Sequence, residues 1–268
     1  MDSKRIIPKT KLRYFYQSLR SSEFNQVHRQ VKICDNLIRN PDCLISLYAD
    51  ACNDFSRYSN VEEPFVPEED KRKPLKRTKR VVKTENLLAL FEIQRGLKVV
   101  RNSALDFKYI EREINPLRTT KTIFETGVSG RRSGIGGLDF IGINNEHNPV
   151  LGEVKIRTDE NVFFAFIQLL TYCSELFTNN QIKRIIGHSV FGEHKIKPSC
   201  CLYIALYECN PKSATYPLIE KTLKLAKSFK ALLGTEKNLN RFQEIGKITC
   251  LDTIVQNGNV SFKTCWEV

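Results

Sequence analysis

The stretch from Gly137 to Tyr172 constrains the fold more than any other part of the chain. Residues 138–143 and 149–157 are rich in apolar residues and predict two β-strands, and the polar segment 144–148 separates them as a turn. Residues 161–177 carry no charge before Glu175, which predicts a helix buried on several sides. The order of elements is therefore strand, turn, strand and buried helix.

The alternation of side chains along a strand decides which of these residues can meet. Glu153 and Lys155 are two residues apart and lie on the same face of the second strand. If the two strands pair as a hairpin, Asp139 reaches that face only in registers that place it opposite Glu153 or Lys155. A register one residue away would place Asp139 opposite Val154, on the wrong side of the sheet.

Two carboxylates gathered in this way suit a hard divalent cation. Mg²⁺ takes oxygen ligands and keeps several waters and substrate phosphate oxygens, and Mn²⁺ is the alternative. A lysine beside the cation can orient a water and offset charge as a phosphodiester is attacked. The pattern of Asp139, Glu153 and Lys155 therefore predicts metal-assisted phosphodiester hydrolysis.

The same residues resemble a known family. Gly-Leu-Asp139-Phe-Ile-Gly and Gly-Glu153-Val-Lys155, with thirteen residues between the two acids, are similar to the core motif of the PD-(D/E)XK nuclease superfamily. Gln168-Leu-Leu-Thr-Tyr172 resembles the Gln-x-x-x-Tyr element of its exonuclease-like branches. Leu138 stands where the family motif has proline. The resemblance covers roughly residues 84–210.

This resemblance implies an α/β fold with a restriction-endonuclease-like core, in which helices flank a central mixed β-sheet. It implies that Asp139 and Glu153 bind Mg²⁺ or Mn²⁺ with the carbonyl of Val154, that Lys155 positions the attacking water and that Gln168 supports the site. The implied substrate is nucleic acid, with DNA favoured over RNA. For Tyr172, contact with substrate and a place in the core remain alternatives.

A further acid is expected, and two residues compete for the role. Thr84 can cap a helix from about Glu85 to Arg95, and the first core helix of the superfamily often carries a glutamate that helps hold the metal. The simpler explanation for Glu85 is that the helix dipole favours an acid in the first turn. Glu125 is the competitor, because it lies closer in sequence to Asp139.

The segment before the first motif strand is a glycine-rich loop. Residues 129–137, SGRRSGIGG, lack the Gly-Lys-Ser/Thr ending of a P-loop. Arg131 and Arg132 can instead bind phosphates of a substrate from this loop. A surface loop without a function is the alternative.

The charge distribution favours a polyanionic partner. The chain has 268 residues and a formal net charge of +12. Seven of the basic residues fall within residues 71–80, directly after a run of acids. Neutralising phosphates releases counterions and gives affinity that does not depend on sequence, which favours nucleic acid.

The organisation along the chain follows from composition. Residues 1–58 have helical periodicity and predict a helical region, which either caps the core or binds a protein partner. Residues 59–83 combine three prolines with opposed charge blocks and predict a linker. Residues 84–268 form the predicted nuclease domain, which ends in a helix at 217–233 and a hairpin around Asn257-Gly258.

The remaining features concern location. The sequence has no run of about 18 uncharged apolar residues, so a membrane partner is not expected. The start lacks the apolar segment of a secretory signal, and the nine cysteines show no Cys-x-x-Cys spacing. Reduced thiols and a cytoplasmic location are expected, with the nucleus as the alternative in a eukaryotic cell.

Overall fold

A computed structural model provides the structure of the chain. It describes residues 10–21, 23–58, 105–114, 138–156, 161–178, 182, 196–207, 210–237, 239, 241–256 and 259–268. The described helices are α1 (Lys11–Ser18), α2 (Val27–Arg39), α3 (Pro41–Tyr58), α4 (Val162–Leu176) and α5 (Pro217–Leu233). The strands are β1 (Phe107–Ile114), β2 (Leu138–Asn144), β3 (Pro149–Ile156), β4 (Cys200–Tyr207), β5 (Ile245–Gln256) and β6 (Asn259–Glu267).

The six strands form one mixed sheet in the order of the sequence, β1-β2-β3-β4-β5-β6. β1, β2 and β3 form an antiparallel meander, β3, β4 and β5 are parallel, and β6 returns antiparallel to β5. The predicted α/β fold class with a central mixed sheet is confirmed.

The helices between the parallel strands lie on one face of the sheet. α4 connects β3 to β4, and α5 connects β4 to β5, so the chain steps twice in the same direction along the sheet. Crossovers of the same hand that step in one direction place their helices on the same face. Accordingly α4 and α5 pack against each other, and their apolar side chains share one core cluster with β2, β3, β4 and β5.

The N-terminal helices join this same layer. α1 and α3 pack against α4, and α2 and α3 pack against α5. Their buried residues, including Leu12, Leu44 and Tyr48, belong to the same core cluster as α4. The N-terminal helices therefore lie on the same side of the sheet as α4 and α5. The predicted linker at 59–83 lies outside the described residues.

A second apolar cluster occupies the opposite face of the sheet. Phe107, Phe140 and Tyr203 form its aromatic centre, with ring centroids of Phe107 and Phe140 5.6 Å apart and those of Phe107 and Tyr203 4.7 Å apart. Alternate residues of β3 divide between the clusters, with Leu151 on the helical side and Val150 and Val154 on the other. The prediction that Glu153 and Lys155 share one face of β3 depends on this alternation.

Several local predictions are confirmed. α5 begins at Pro217 and its C-cap is Gly234. β4 is buried and lies beside the strand that carries Glu153, and β5 pairs with β6 up to Gln256 and Asn259. The strands predicted at 98–101 and 122–128 lie outside the described residues. Among the helices that the structure describes, none is long and apolar enough to cross a membrane.

Candidate active site

The register of the β2–β3 hairpin places Asp139 on the same face as Glu153 and Lys155. Phe140 pairs with Gly152 and Ile141 with Leu151, and the same register places Asp139 opposite Glu153. The backbone N–H of Val154 donates a hydrogen bond of 2.8 Å to Oδ2 of Asp139. This is one of the two registers predicted from the sequence, and the carboxylate of Asp139 lies against the backbone of Val154.

Glu153, Lys155 and Gln168 form a closed hydrogen-bond network on the helical side of the sheet. Nζ of Lys155 is 3.0 Å from Oε2 of Glu153 and 3.2 Å from Oε1 of Gln168. Nε2 of Gln168 donates to Oε1 of Glu153 at 2.5 Å. The three side chains are 1%, 5% and 6% exposed, so each polar group depends on the others for its partners.

The surroundings of Lys155 hold its ammonium group in place. Nζ lies 5.4 Å from the centroid of the Phe164 ring, which is one turn before Gln168 on α4. The N-terminus of α4 is fixed because Asn161 accepts a hydrogen bond from the backbone N–H of Phe164. An aromatic face attracts a cation, so Phe164 adds to the attraction of Glu153 for Lys155.

The two acids of the site oppose each other electrostatically. Burial raises the pKa of Glu153 well above its ordinary value, and the neighbouring carboxylate of Asp139 raises it further, whereas Lys155 lowers it. Asp139 is half-buried and is the more accessible of the two acids. A divalent cation between the carboxylates would relieve this repulsion, so the donor set fits Mg²⁺ or Mn²⁺.

The described residues supply part of the predicted ligand set. They contain no group of three or more histidine, cysteine, aspartate and glutamate side chains that could hold a metal ion. The two competing acids, Glu85 and Glu125, lie outside the described residues, as do Arg131 and Arg132 of the glycine-rich loop. Asp139 and Glu153, with the backbone of Val154, are the candidate ligands that the structure brings together.

Tyr172 has a different environment from the one expected of a substrate-binding residue. Its side chain is 0% exposed, and the guanidinium of Arg13 lies 5.4 Å from the centroid of its ring. The carboxylate of Glu175, one turn further along α4, pairs with the same guanidinium. This environment favours the core alternative for Tyr172 over contact with substrate.

Sequence reasoning missed the contribution of α1. Leu12, Phe15 and Leu19 recur near helical spacing, which predicts that they face the core. Leu12 and Leu19 are buried, but Phe15 is half-buried, while Arg13 and Tyr16 are 1% and 4% exposed. The Tyr16 ring stacks on Phe164, with centroids 5.1 Å apart. The available signal was Glu175, since a lone acid in an apolar helix requires a cationic partner.

Comparison with known proteins finds no matching family model, no matching curated protein and no matching solved structure.

Proposed function

We propose that the chain is a metal-dependent nuclease that hydrolyses phosphodiester bonds, with DNA as the favoured substrate. The observation that carries this proposal is the convergence of Asp139, Glu153, Lys155 and Gln168 on one site, through the hydrogen bonds of Lys155 and Gln168 to Glu153 and the register of the hairpin. Each of these residue types has a specific use in phosphodiester hydrolysis.

The proposed roles follow from where the side chains lie. Asp139 and Glu153 would hold Mg²⁺ or Mn²⁺, with the carbonyl of Val154 as a further oxygen ligand. The bound cation would supply Lewis-acid polarisation of the scissile phosphate. Lys155, held by Gln168 at 3.2 Å, orients the attacking water and offsets the negative charge that develops on the phosphate.

A restriction-endonuclease-like core is part of the same proposal. Its support is the antiparallel hairpin that carries both acids, followed by a buried crossover helix and a parallel strand beside β3. The net charge of +12 supports a polyanionic substrate. Glu85 or Glu125 would supply the further acid, and Arg131 and Arg132 would contact phosphates.

The direct test is cleavage of single- and double-stranded DNA and of RNA by purified protein, with Mg²⁺ and with EDTA. We expect Mg²⁺-dependent cleavage by the wild type and a loss of about 100-fold or more in Asp139→Asn and Lys155→Met. The matched control is Glu220→Gln/Lys224→Met, which removes an exposed acid and lysine 3.2 Å apart on α5. Cleavage that survives both site substitutions would remove the assignment.

A nucleic-acid-binding or scaffolding protein without catalysis is the second candidate. The favouring observation is that Lys155 is already paired with both Glu153 and Gln168 and is 5% exposed. This candidate predicts DNA binding that weakens steeply with salt, that does not require Mg²⁺, and that leads to no cleavage. Titrating labelled DNA against the protein at several salt concentrations, with Mg²⁺ or EDTA, separates the two candidates.

A further inference from the structure

A buried ion pair connects the N-terminal helix to the helix of the candidate site. The guanidinium of Arg13 on α1 donates to both carboxylate oxygens of Glu175 on α4, with Nε 2.5 Å from Oε1. The two side chains are 1% and 0% exposed. Two parallel hydrogen bonds between planar groups fix orientation as well as distance.

The ion pair lies on the same face of α4 as Gln168. Phe164, Gln168, Tyr172 and Glu175 are separated by four, four and three residues, which places them along one side of the helix. α1 contacts this side at both ends, because Tyr16 stacks on Phe164 and Arg13 pairs with Glu175 over the ring of Tyr172. Gln168 therefore lies between the two contacts that join α1 to α4.

A second polar contact holds the other end of α1. Nε2 of Gln30 on α2 donates to the backbone carbonyl of Leu19 at 3.1 Å, and Oε1 of Gln30 accepts from the side chain of Asn161. Asn161 is the N-cap of α4. The first turn of α4 and the C-terminal end of α1 are thus connected through one buried glutamine.

Stability alone is a poor explanation for the Arg13–Glu175 pair. Apolar residues of similar volume commonly replace a buried ion pair without loss of stability. This pair is also incompletely satisfied, since Nη1 of Arg13 has no hydrogen-bond partner within the described part of the chain. The ion pair fixes the rotation of α4 and its position along its axis relative to α1, which apolar contacts would not do.

We propose that Arg13 is a positioning residue of the active site, which acts through Glu175 to hold α4 where Gln168 bridges Glu153 and Lys155. The proposal rests on the nuclease function proposed above. It makes the N-terminal helical region part of the catalytic apparatus. A displacement of about 1 Å in a catalytic group can reduce the rate about 100-fold.

The test replaces the pair as a unit, with Arg13→Met/Glu175→Leu. We expect a melting temperature equal to or above that of the wild type, a kcat for Mg²⁺-dependent DNA cleavage about 10- to 100-fold lower, and a KM within about twofold. Arg13→Lys, which keeps the charge but loses the second hydrogen bond, should give an intermediate kcat. A double variant with wild-type melting temperature and wild-type kcat would overturn the proposal.

A control variant and a measurement that does not need cleavage separate the positioning role of Arg13 from the nuclease proposal. Lys221→Met/Asp35→Leu removes another ion pair of the helical layer, between α5 and α2 at 2.5 Å, and should leave kcat unchanged. If the wild type does not cleave any substrate, the nuclease proposal fails. The effect of Arg13 on the position of Gln168 is then measured by NMR, from the side-chain amide signal of Gln168 in ¹⁵N-labelled protein. That signal, assigned by its loss in Gln168→Met, should shift in Arg13→Met/Glu175→Leu, and an unchanged signal would refute the positioning role.

Discussion

The close contact between Phe140 and Gly152 gives a prediction whose size follows from the structure. Gly152 directly precedes Glu153, and the ring of Phe140 lies over it in the cross-strand pair. A Cβ atom at position 152 would be 1.8 Å from Cζ of Phe140 and about as close to two further ring atoms. Phe140 is 0% exposed and packs against Phe107 and Tyr109, so its ring has little room to move.

We therefore expect Gly152→Ala to destabilise the protein by overpacking. Overpacked cores lose about 1–3 kcal/mol, and a domain of roughly this size loses about 2–4 °C in melting temperature per kcal/mol. The expected decrease in melting temperature is thus about 2–12 °C, measured by differential scanning calorimetry or by circular dichroism.

A double variant tests the stated cause. Phe140→Leu shortens the side chain that the new methyl group would meet, so Gly152→Ala/Phe140→Leu should be more stable than the sum of the single effects predicts. Gly234→Ala is the matched control, because among the described residues a Cβ there would meet only the backbone carbonyl oxygen of Ala231, at 3.7 Å, and φ is −62°. A Gly152→Ala protein that melts within 1 °C of the wild type, on the order of calorimetric error, would refute the reasoning.

Three further predictions concern single groups. The pKa of Glu153 is raised in the folded protein, chiefly by burial, so its contribution to stability is present below its ordinary pKa of 4.5 and is lost as pH rises through the folded pKa. Glu153→Gln, measured in EDTA, should therefore gain stability relative to the wild type as pH rises from 4.5. Parallel plots of unfolding free energy against pH for the two proteins would contradict this. Arg13→Met alone should cost about 3–5 kcal/mol in chemical denaturation, since the Glu175 carboxylate stays buried without its partner, and a loss below about 1 kcal/mol would contradict the ion pair. Asn161→Ala should cost about 1 kcal/mol by removing the N-cap of α4, whereas an unchanged denaturation midpoint would show that the cap contributes nothing.

Much of the sheet and of the candidate site could be predicted from local patterns. The two-residue period of β3 put Glu153 and Lys155 on one face, and the requirement that Asp139 join them left two hairpin registers, of which the structure has the one that places Asp139 opposite Glu153. The bounds of α5 followed from Pro217 and Gly234, and the uniform apolar character of 161–177 indicated that α4 would be buried. Each of these features depends on residues that are close in sequence, so each could be predicted from the sequence.

The contribution of α1 could not be read in the same way. Arg13 and Glu175 are 162 residues apart, and helical periodicity assigns a charged residue to the solvent face by default. The environment of Tyr172 could not be predicted either, because its spacing from Gln168 is the same whether its ring contacts a substrate or Arg13.

The sequence by itself determined which residues share a face of each strand and helix, because those faces repeat with the geometry of the backbone. Only the tertiary structure decided that α1 packs along the Gln168 face of α4 and that Arg13 is buried there. The physical reason is that burying a charge depends on whether a distant partner can compensate its lost hydration, and no local pattern records that partner.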